Sequence, residues 1–193
     1  MLRVLFVCTG NICRSPIAHG LLEHRLKGLE GTAIEVRSAG TWGRRGNSAT
    51  REAVAAAGGL GIDIAAHRAS KFTGELGAWG DLIITMTTEQ SEEVLELVPD
   101  AGPKTFTLKE LVAILRELPP VTKSTRETLL QRINDADRLR SEDYTAPLDM
   151  DVADPLGLSN AVYRAVANEL EGLVDDLVSG LVDGGDGALA NEG

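Results

Sequence analysis

The segment Val7-Cys8-Thr9-Gly10-Asn11-Ile12-Cys13-Arg14-Ser15-Pro16 constrains this chain more than any other. Before it, Leu2–Val7 is a short apolar run with β-branched and aromatic content, the pattern of a buried parallel strand. After it, Ile17, Ala18, Leu21, Leu22 and Leu26 recur at helical spacing. Ser15 as N-cap, with Pro16 at the first helical position, is the expected start of that helix. A strand, a tight loop and a helix in that order open an α/β sheet, and such sheets bind ligands at the carboxyl ends of their strands.

The residue types in the loop suit a bound oxyanion. A loop curled over a helix N-terminus aims successive backbone N–H groups inward and makes an anion nest. Gly10 and Asn11 are the types that most readily take the left-handed backbone angles such curling requires. The phosphate-binding set is then Thr9, Gly10, Asn11, Ile12, Cys13 and Arg14, with Arg14 adding a planar two-pronged grip. The same positive field favours the thiolate of Cys8, and a thiolate facing a bound phosphoryl group is a nucleophile for phosphoryl transfer.

The rest of the chain alternates in the same way. Strands are expected at Thr32–Ser38, Asp81–Thr85 and Lys104–Leu108. Helices are expected at Ala49–Ala57, Thr88–Val98, Glu110–Leu118 and Leu158–Val178. The expected fold class is therefore α/β: a single domain over residues 1–178, with a four-stranded parallel sheet and helices on both faces. Residues 117–150 stand apart as a polar, charged insertion containing one helix-like stretch, Ser124–Arg140. Its Leu129, Leu130, Ile133 and Leu139 form a short apolar stripe. The segment reads as a solvated surface excursion, or as an element packed over the site or against a partner. Residues 179–193, rich in Gly, Asp and Ala, read as a disordered tail.

Charge and composition exclude several classes. The net charge is −10, yet residues 1–51 carry eight basic side chains against three acidic ones, and residues 165–193 carry seven acidic and no basic ones. A basic face over the whole domain, which nucleic-acid binding needs, is missing, while an electropositive site for a small anion remains. No apolar run approaches the roughly 20 residues that span a bilayer, and the N-terminus lacks the layout of a secretory signal. The expectation is a cytoplasmic protein without membrane or nucleic-acid partners. Two cysteines cannot build a disulfide framework, and Cys8, Cys13 and His19 do not match structural zinc spacing, so no metal or other cofactor is expected. His19 and His24, on the first helix, are assigned to the surface.

The ten-residue loop resembles the signature of the low-molecular-weight protein tyrosine phosphatases. Asp154-Pro155 stands where that family carries an Asp-Pro general acid. Ser38-Ala39-Gly40-Thr41, Gly61-Ile62-Asp63 with His67, and Asp81-Leu82-Ile83-Ile84-Thr85-Met86 resemble its intervening segments. The resemblance implies a phosphatase acting on protein phosphotyrosine, with a phosphotyrosine-bearing protein, such as a tyrosine kinase, as its partner. It implies Cys8 as nucleophile, Arg14 as transition-state ligand and Asp154, ahead of Asp149 and Asp151, as acid and then base. Ser15 would donate to the Cys8 thiolate. Asn11 and His67 would brace the loop, and Cys13 would pair reversibly with Cys8 on oxidation. Trp42 would supply one aromatic wall of the crevice.

The chain departs from that pattern in places. Leu156 follows Asp-Pro where many members have an aromatic residue, and His19 stands where an acidic residue is common. The related protein arginine phosphatases use a smaller polar Thr at the position of Ile12, and a bulky β-branched Ile there speaks against a phosphoguanidinium substrate. Two alternatives stay open: an arsenate reductase of the same fold coupled to an external thiol, and a catalytically weak phospho-binding module.

Overall fold

The computed structural model describes residues 1–27, 29, 34–121, 123–141, 144–145 and 148–182. Four strands, β1 (Leu2–Cys8), β2 (Ile34–Gly40), β3 (Leu82–Thr85) and β4 (Thr105–Thr107), pair in the order β2-β1-β3-β4, all parallel. Thr32 and Ala33 of the second expected strand lie outside the described residues. Seven α-helices fall among the described residues: α1 (Arg14–Leu26), α2 (Arg51–Gly59), α3 (Gly74–Trp79), α4 (Thr88–Leu97), α5 (Leu108–Glu117), α6 (Arg126–Ser141) and α7 (Asn160–Leu181).

The central strand shows why the sheet must be covered twice. Leu2, Val4, Phe6 and Cys8 of β1 point into one core with α1, α2, α5, α6 and α7. Leu5 and Val7 point into a second core with Phe72, Val94 and Ala101. A strand apolar at both parities is buried on both faces, as parallel sheets require. After β1 the chain runs outward to β2 on one side, then returns to place β3 on the other. The carboxyl end of β1 is therefore the topological switch point, the position at which open α/β sheets leave a crevice for ligands.

Several boundaries differ from the sequence reading, each for a local reason. α1 begins at Arg14 with Cys13 at the N-cap, and its first i→i−4 bond runs from Ile17 N to the Cys13 carbonyl at 3.2 Å. Ser15 is thus inside the helix, and its hydroxyl is taken by Cys8 instead of capping. α2 starts behind Thr50, whose side chain accepts from Ala53 N, and it runs through Gly58-Gly59 to end before Gly61, at φ +76°. α3, absent from the sequence reading, is a six-residue helix capped by Thr73. α5 opens with a capping box between Thr107 and Glu110. α7 continues through Leu181, so Ser179–Leu181 belong to the helix; residues 183–193 of the expected tail lie outside the described residues.

The insertion folds as α6 and lies away from the crevice. Leu129, Ile133 and Ala136 are buried in the main core. Arg126 reaches the Met1 carbonyl and Asp81, and Arg140 donates to the Thr105 and Gly102 carbonyls at 2.7 and 2.9 Å, over the Phe106 ring. Arg132 donates to the carbonyls of Gly180, Pro119 and Leu115. Met1, Asp81 and Thr105 mark the amino ends of three strands, so α6 closes the bottom of the sheet. It is neither a solvated excursion nor a cover over the site.

Candidate active site

The loop Thr9–Cys13 leaves β1 at the switch point and folds back onto α1. Asn11 sits in the left-handed region at φ +53°, which lets the backbone reverse and brings Asn11 N to 3.2 Å from Cys8 Sγ. Neighbouring chain fastens the loop from every side. Thr41 N and Trp42 N donate to the carbonyls of Cys8 and Thr9, each at 2.9 Å, and Thr50 N donates to that of Ile12 at 3.0 Å. His67 Nε2 lies 2.8 Å from the Asn11 carbonyl, and Ser70 N donates to Asn11 Oδ1 at 2.8 Å. Gln90 Nε2 donates to Thr9 Oγ1. Gly40 backs directly onto the loop: a Cβ there would stand 2.5 Å from the Thr9 carbonyl oxygen.

Cys8 is buried at 2% exposure and faces the helix N-terminus, whose first turn contains no acidic residue. Its sulfur lies 2.9 Å from Ser15 Oγ, and Ser15 in turn accepts from Asn11 Nδ2 at 2.9 Å. Because Asn11 occupies a lone pair of Ser15, the Ser15 proton has two acceptors within reach, the sulfur at 2.9 Å and, as the longer contact, the Ala39 carbonyl at 3.4 Å. Arg14, 3% exposed, donates through Nη1 to the Val152 carbonyl at 2.9 Å and through Nη2 to Asp154 Oδ2 at 2.7 Å. Its Nε has no partner among the described residues, a buried donor suited to an oxyanion oxygen.

The Asp-Pro segment is tied to the sheet by Val152 N donating to the Met86 carbonyl at 2.8 Å. Of the three nearby aspartates, Asp151 caps α4 by accepting from Thr88 N and Oγ1. Asp149 pairs with Lys109, which holds its carboxyl below the usual range. Asp154 turns to Arg14, with Oδ1 accepting from Leu156 N.

The remaining candidates range from the core to the surface. Cys13 Sγ lies 3.6 Å from both Thr50 Oγ1 and Tyr163 Oη, and burial pushes its thiol up. Burial holds His67 below its ordinary value, so it is a neutral imidazole at pH 7 that donates from Nε2 to the Asn11 carbonyl. Trp42 stands out at 72% exposure, its indole N–H bonded to Glu93 at 2.7 Å. Ile12 leans over Gly10, and Leu156 is exposed. Gln90, Thr50 and the Val152 carbonyl were not singled out from sequence. His19, assigned there to an unpartnered surface, contacts Ser38 and Glu23. Among the described residues no cluster of His, Cys, Asp and Glu could hold a metal, and no helix is long and apolar enough to cross a membrane.

A cysteine sulfur on the curled loop, a buried guanidinium and a carboxylate paired with it form a site for phosphomonoester chemistry. Residues 3–119 match the family described as low molecular weight phosphotyrosine protein phosphatase. The chain is 36% identical over 179 residues to a protein-arginine-phosphatase of Geobacillus stearothermophilus, covering 93% of this chain and 95% of that protein. It is 40% identical over 108 residues to the probable low molecular weight protein-tyrosine-phosphatase EpsP of Ralstonia nicotianae, covering 56% of this chain and 71% of that one. Among solved structures, a low molecular weight protein tyrosine phosphatase from T. tengcongensis superimposes with a TM-score of 0.70 at 34% identity, covering 92% of this chain and 98% of that one. The chain is a phosphatase of the low molecular weight phosphotyrosine protein phosphatase family.

Proposed function

We propose that this phosphatase hydrolyses phosphotyrosine in proteins through a phosphocysteine on Cys8. The loop amides, Arg14 Nε and Arg14 Nη2 hold the phosphoryl oxygens. The Cys8 thiolate attacks phosphorus in line, the bond from phosphorus to the tyrosine oxygen breaks, and Asp154 delivers a proton to that oxygen. A water then attacks the phosphocysteine, Asp154 takes its proton, and the thiolate leaves with the Ser15 hydroxyl donating to it. Cys13 is the reversible oxidation partner of Cys8, and a phosphotyrosine-bearing protein, such as a tyrosine kinase, is the macromolecular substrate.

The observation that carries the aryl substrate is the apolar rim. Ile12 leans over Gly10, and the exposed Trp42 ring is pinned beside the loop by Glu93 and by Trp42 N. Such apolar walls suit the ring of a phosphotyrosine. A second reading, phosphoarginine, is favoured by the Geobacillus relative, whose match runs along 93% of the chain.

One peptide made with phosphotyrosine or phosphoarginine at the same position separates the two. The expected kcat/KM ratio favours phosphotyrosine by about 10- to 200-fold, the range one mismatched pocket contact supplies, and Ile12→Thr narrows it. A ratio favouring phosphoarginine in the unmodified protein replaces the first reading with the second.

A further inference from the structure

The hydrogen bonds behind Cys8 do not end at Asn11. Asn11 Oδ1 accepts from a backbone N–H, that of Ser70, which fixes the orientation of the Asn11 amide and leaves both protons of Nδ2 pointing the other way. One goes to Ser15 Oγ at 2.9 Å and the other to Ser38 Oγ at 3.0 Å. Each serine oxygen therefore accepts from the amide and has its own proton to place elsewhere. For Ser15 the nearer acceptor is Cys8 Sγ at 2.9 Å, ahead of the Ala39 carbonyl at 3.4 Å. Ser38 has His19 Nδ1 at 3.3 Å, which can accept only if that nitrogen is bare. His19 Nε2 lies 3.3 Å from Glu23 Oε1, a carboxylate that calls for a proton on Nε2. In the neutral imidazole the two ends agree on the Nε2–H tautomer, and the bonds then run outward from the Asn11 amide, their hub, to Cys8 on one side and to His19 on the other.

His19 is also where water reaches this chain. Asn11 and Ser15 are fully buried and Cys8 is 2% exposed, whereas the His19 side chain is 23% exposed between two open clefts of about 170 and 270 Å³. The charged groups that face it are Glu23 on its own helix, Arg37 on β2, and Asp63, His67 and Arg68 from the segment after α2. Two carboxylates and two guanidiniums surround it.

We infer that His19 is a positioning residue for Cys8, acting as a neutral Nε2–H imidazole through Ser38, Asn11 and Ser15, and that its protonation slows turnover. An added proton on Nδ1 turns that nitrogen from acceptor to donor. Ser38 then accepts from both His19 and Asn11, its own proton leaves the line, and it becomes a poorer acceptor for the amide that orients Ser15. The inference rests on the phosphatase reading of Cys8, and its test separates the two.

The test compares the pH dependence of kcat for para-nitrophenyl phosphate among the unmodified protein, His19→Gln and Ser38→Ala. Gln offers an acceptor oxygen but does not titrate. The unmodified protein should show one ionisation more on its acid limb than His19→Gln, worth about fivefold in rate, the value of one neutral hydrogen bond. In the Ser38→Ala background, His19→Gln should change nothing further. Coincident profiles for the unmodified protein and His19→Gln, or additive effects of the two substitutions, overturn the inference. Imidazole 15N spectra at pH 8 read the tautomer without any substrate: Nε2–H at His19 is required, and Nδ1–H overturns the relay. A protein that shows no turnover with an intact Nε2–H His19 refutes the phosphocysteine reading and, with it, the effect on turnover, but not the hydrogen-bonded chain.

Discussion

Arg14 Nη2 and Asp154 Oδ2 stand 2.7 Å apart, so the two groups that the proposed mechanism sets on opposite sides of a phosphoryl group are joined to each other. Arg14 is buried and keeps Nε unpartnered, while Nη2 is taken by Asp154. A phosphoryl oxyanion that takes Nε and Nη2 together competes with the Asp154 carboxylate, and its arrival frees Asp154 to serve the leaving oxygen.

Substitution at Asp154 should therefore separate binding from chemistry. Asp154→Asn is expected to lower kcat by about 10²–10⁴-fold on a phosphotyrosine peptide, the usual range for a lost general acid, and by less on para-nitrophenyl phosphate, whose leaving group hardly needs a proton. Asp154→Ala should bind vanadate at least as tightly as the unmodified protein, because the competing anion on Arg14 is gone. Weaker vanadate binding by Asp154→Ala, measured by inhibition, would mean that Asp154 holds Arg14 in place and does not compete for it.

Gly40 sets how closely β2 can approach the phosphate loop. A Cβ at that position meets the Thr9 carbonyl at 2.5 Å and Asn11 N at 2.9 Å, and both are backbone atoms that cannot swing aside. Gly40→Ala must displace the loop or break the bonds from Thr41 N and Trp42 N that fasten it. The expected result is a fall in kcat/KM of about 10²-fold, the usual cost of misplacing reacting groups by about 1 Å, with a folded protein by circular dichroism. Unchanged kinetics would show that the loop does not need this close approach.

His67 links the loop to pH through stability. Burial holds its imidazole below the ordinary value of 6.5, so the unfolded chain takes up a proton at a higher pH than the native one. Below that value the unfolded state binds more protons, and stability is lost as pH falls through the window between the two values. His67→Gln can still donate to the Asn11 carbonyl but has nothing to titrate. Between pH 7.5 and 5.5, the urea midpoint of the unmodified protein should fall by more than that of His67→Gln. Parallel declines would mean that His67 is equally easy to protonate in both states.

The features legible in sequence are those carried by neighbours along the chain. The loop, the strands and the apolar helix faces are local patterns, and ten consecutive residues were enough to place Cys8 at a strand end and Arg14 at a helix start. Ser15 was misread as a cap because Ser before Pro is a strong local signal, and only the fold shows that Cys8 claims its hydroxyl. Gln90 on Thr9 and the Val152 carbonyl on Arg14 join positions 81 and 138 residues apart, and no local pattern announces them. His19 reads as surface from its place on α1; its partner Ser38 lies on a different strand. α3 escaped because six residues are too few to show a period, and its boundaries depend on the Thr73 cap.

The place of α6 gives a last prediction, because stability and catalysis should part there. Leu129 is fully buried against the main core, and Arg126, Arg132 and Arg140 bind backbone carbonyls at or below the amino ends of the strands. The phosphate loop is at the other end of the sheet. Leu129→Ala removes a buried side chain from a packed site and should cost about 2–5 kcal/mol of unfolding free energy. The folded fraction should keep its kcat and KM for para-nitrophenyl phosphate within about twofold, since uncoupled sites at such distances behave independently. Chemical denaturation beside steady-state kinetics at 20 °C decides it. A large fall in kcat with unchanged stability would place α6 in communication with the crevice, against the separation its contacts define.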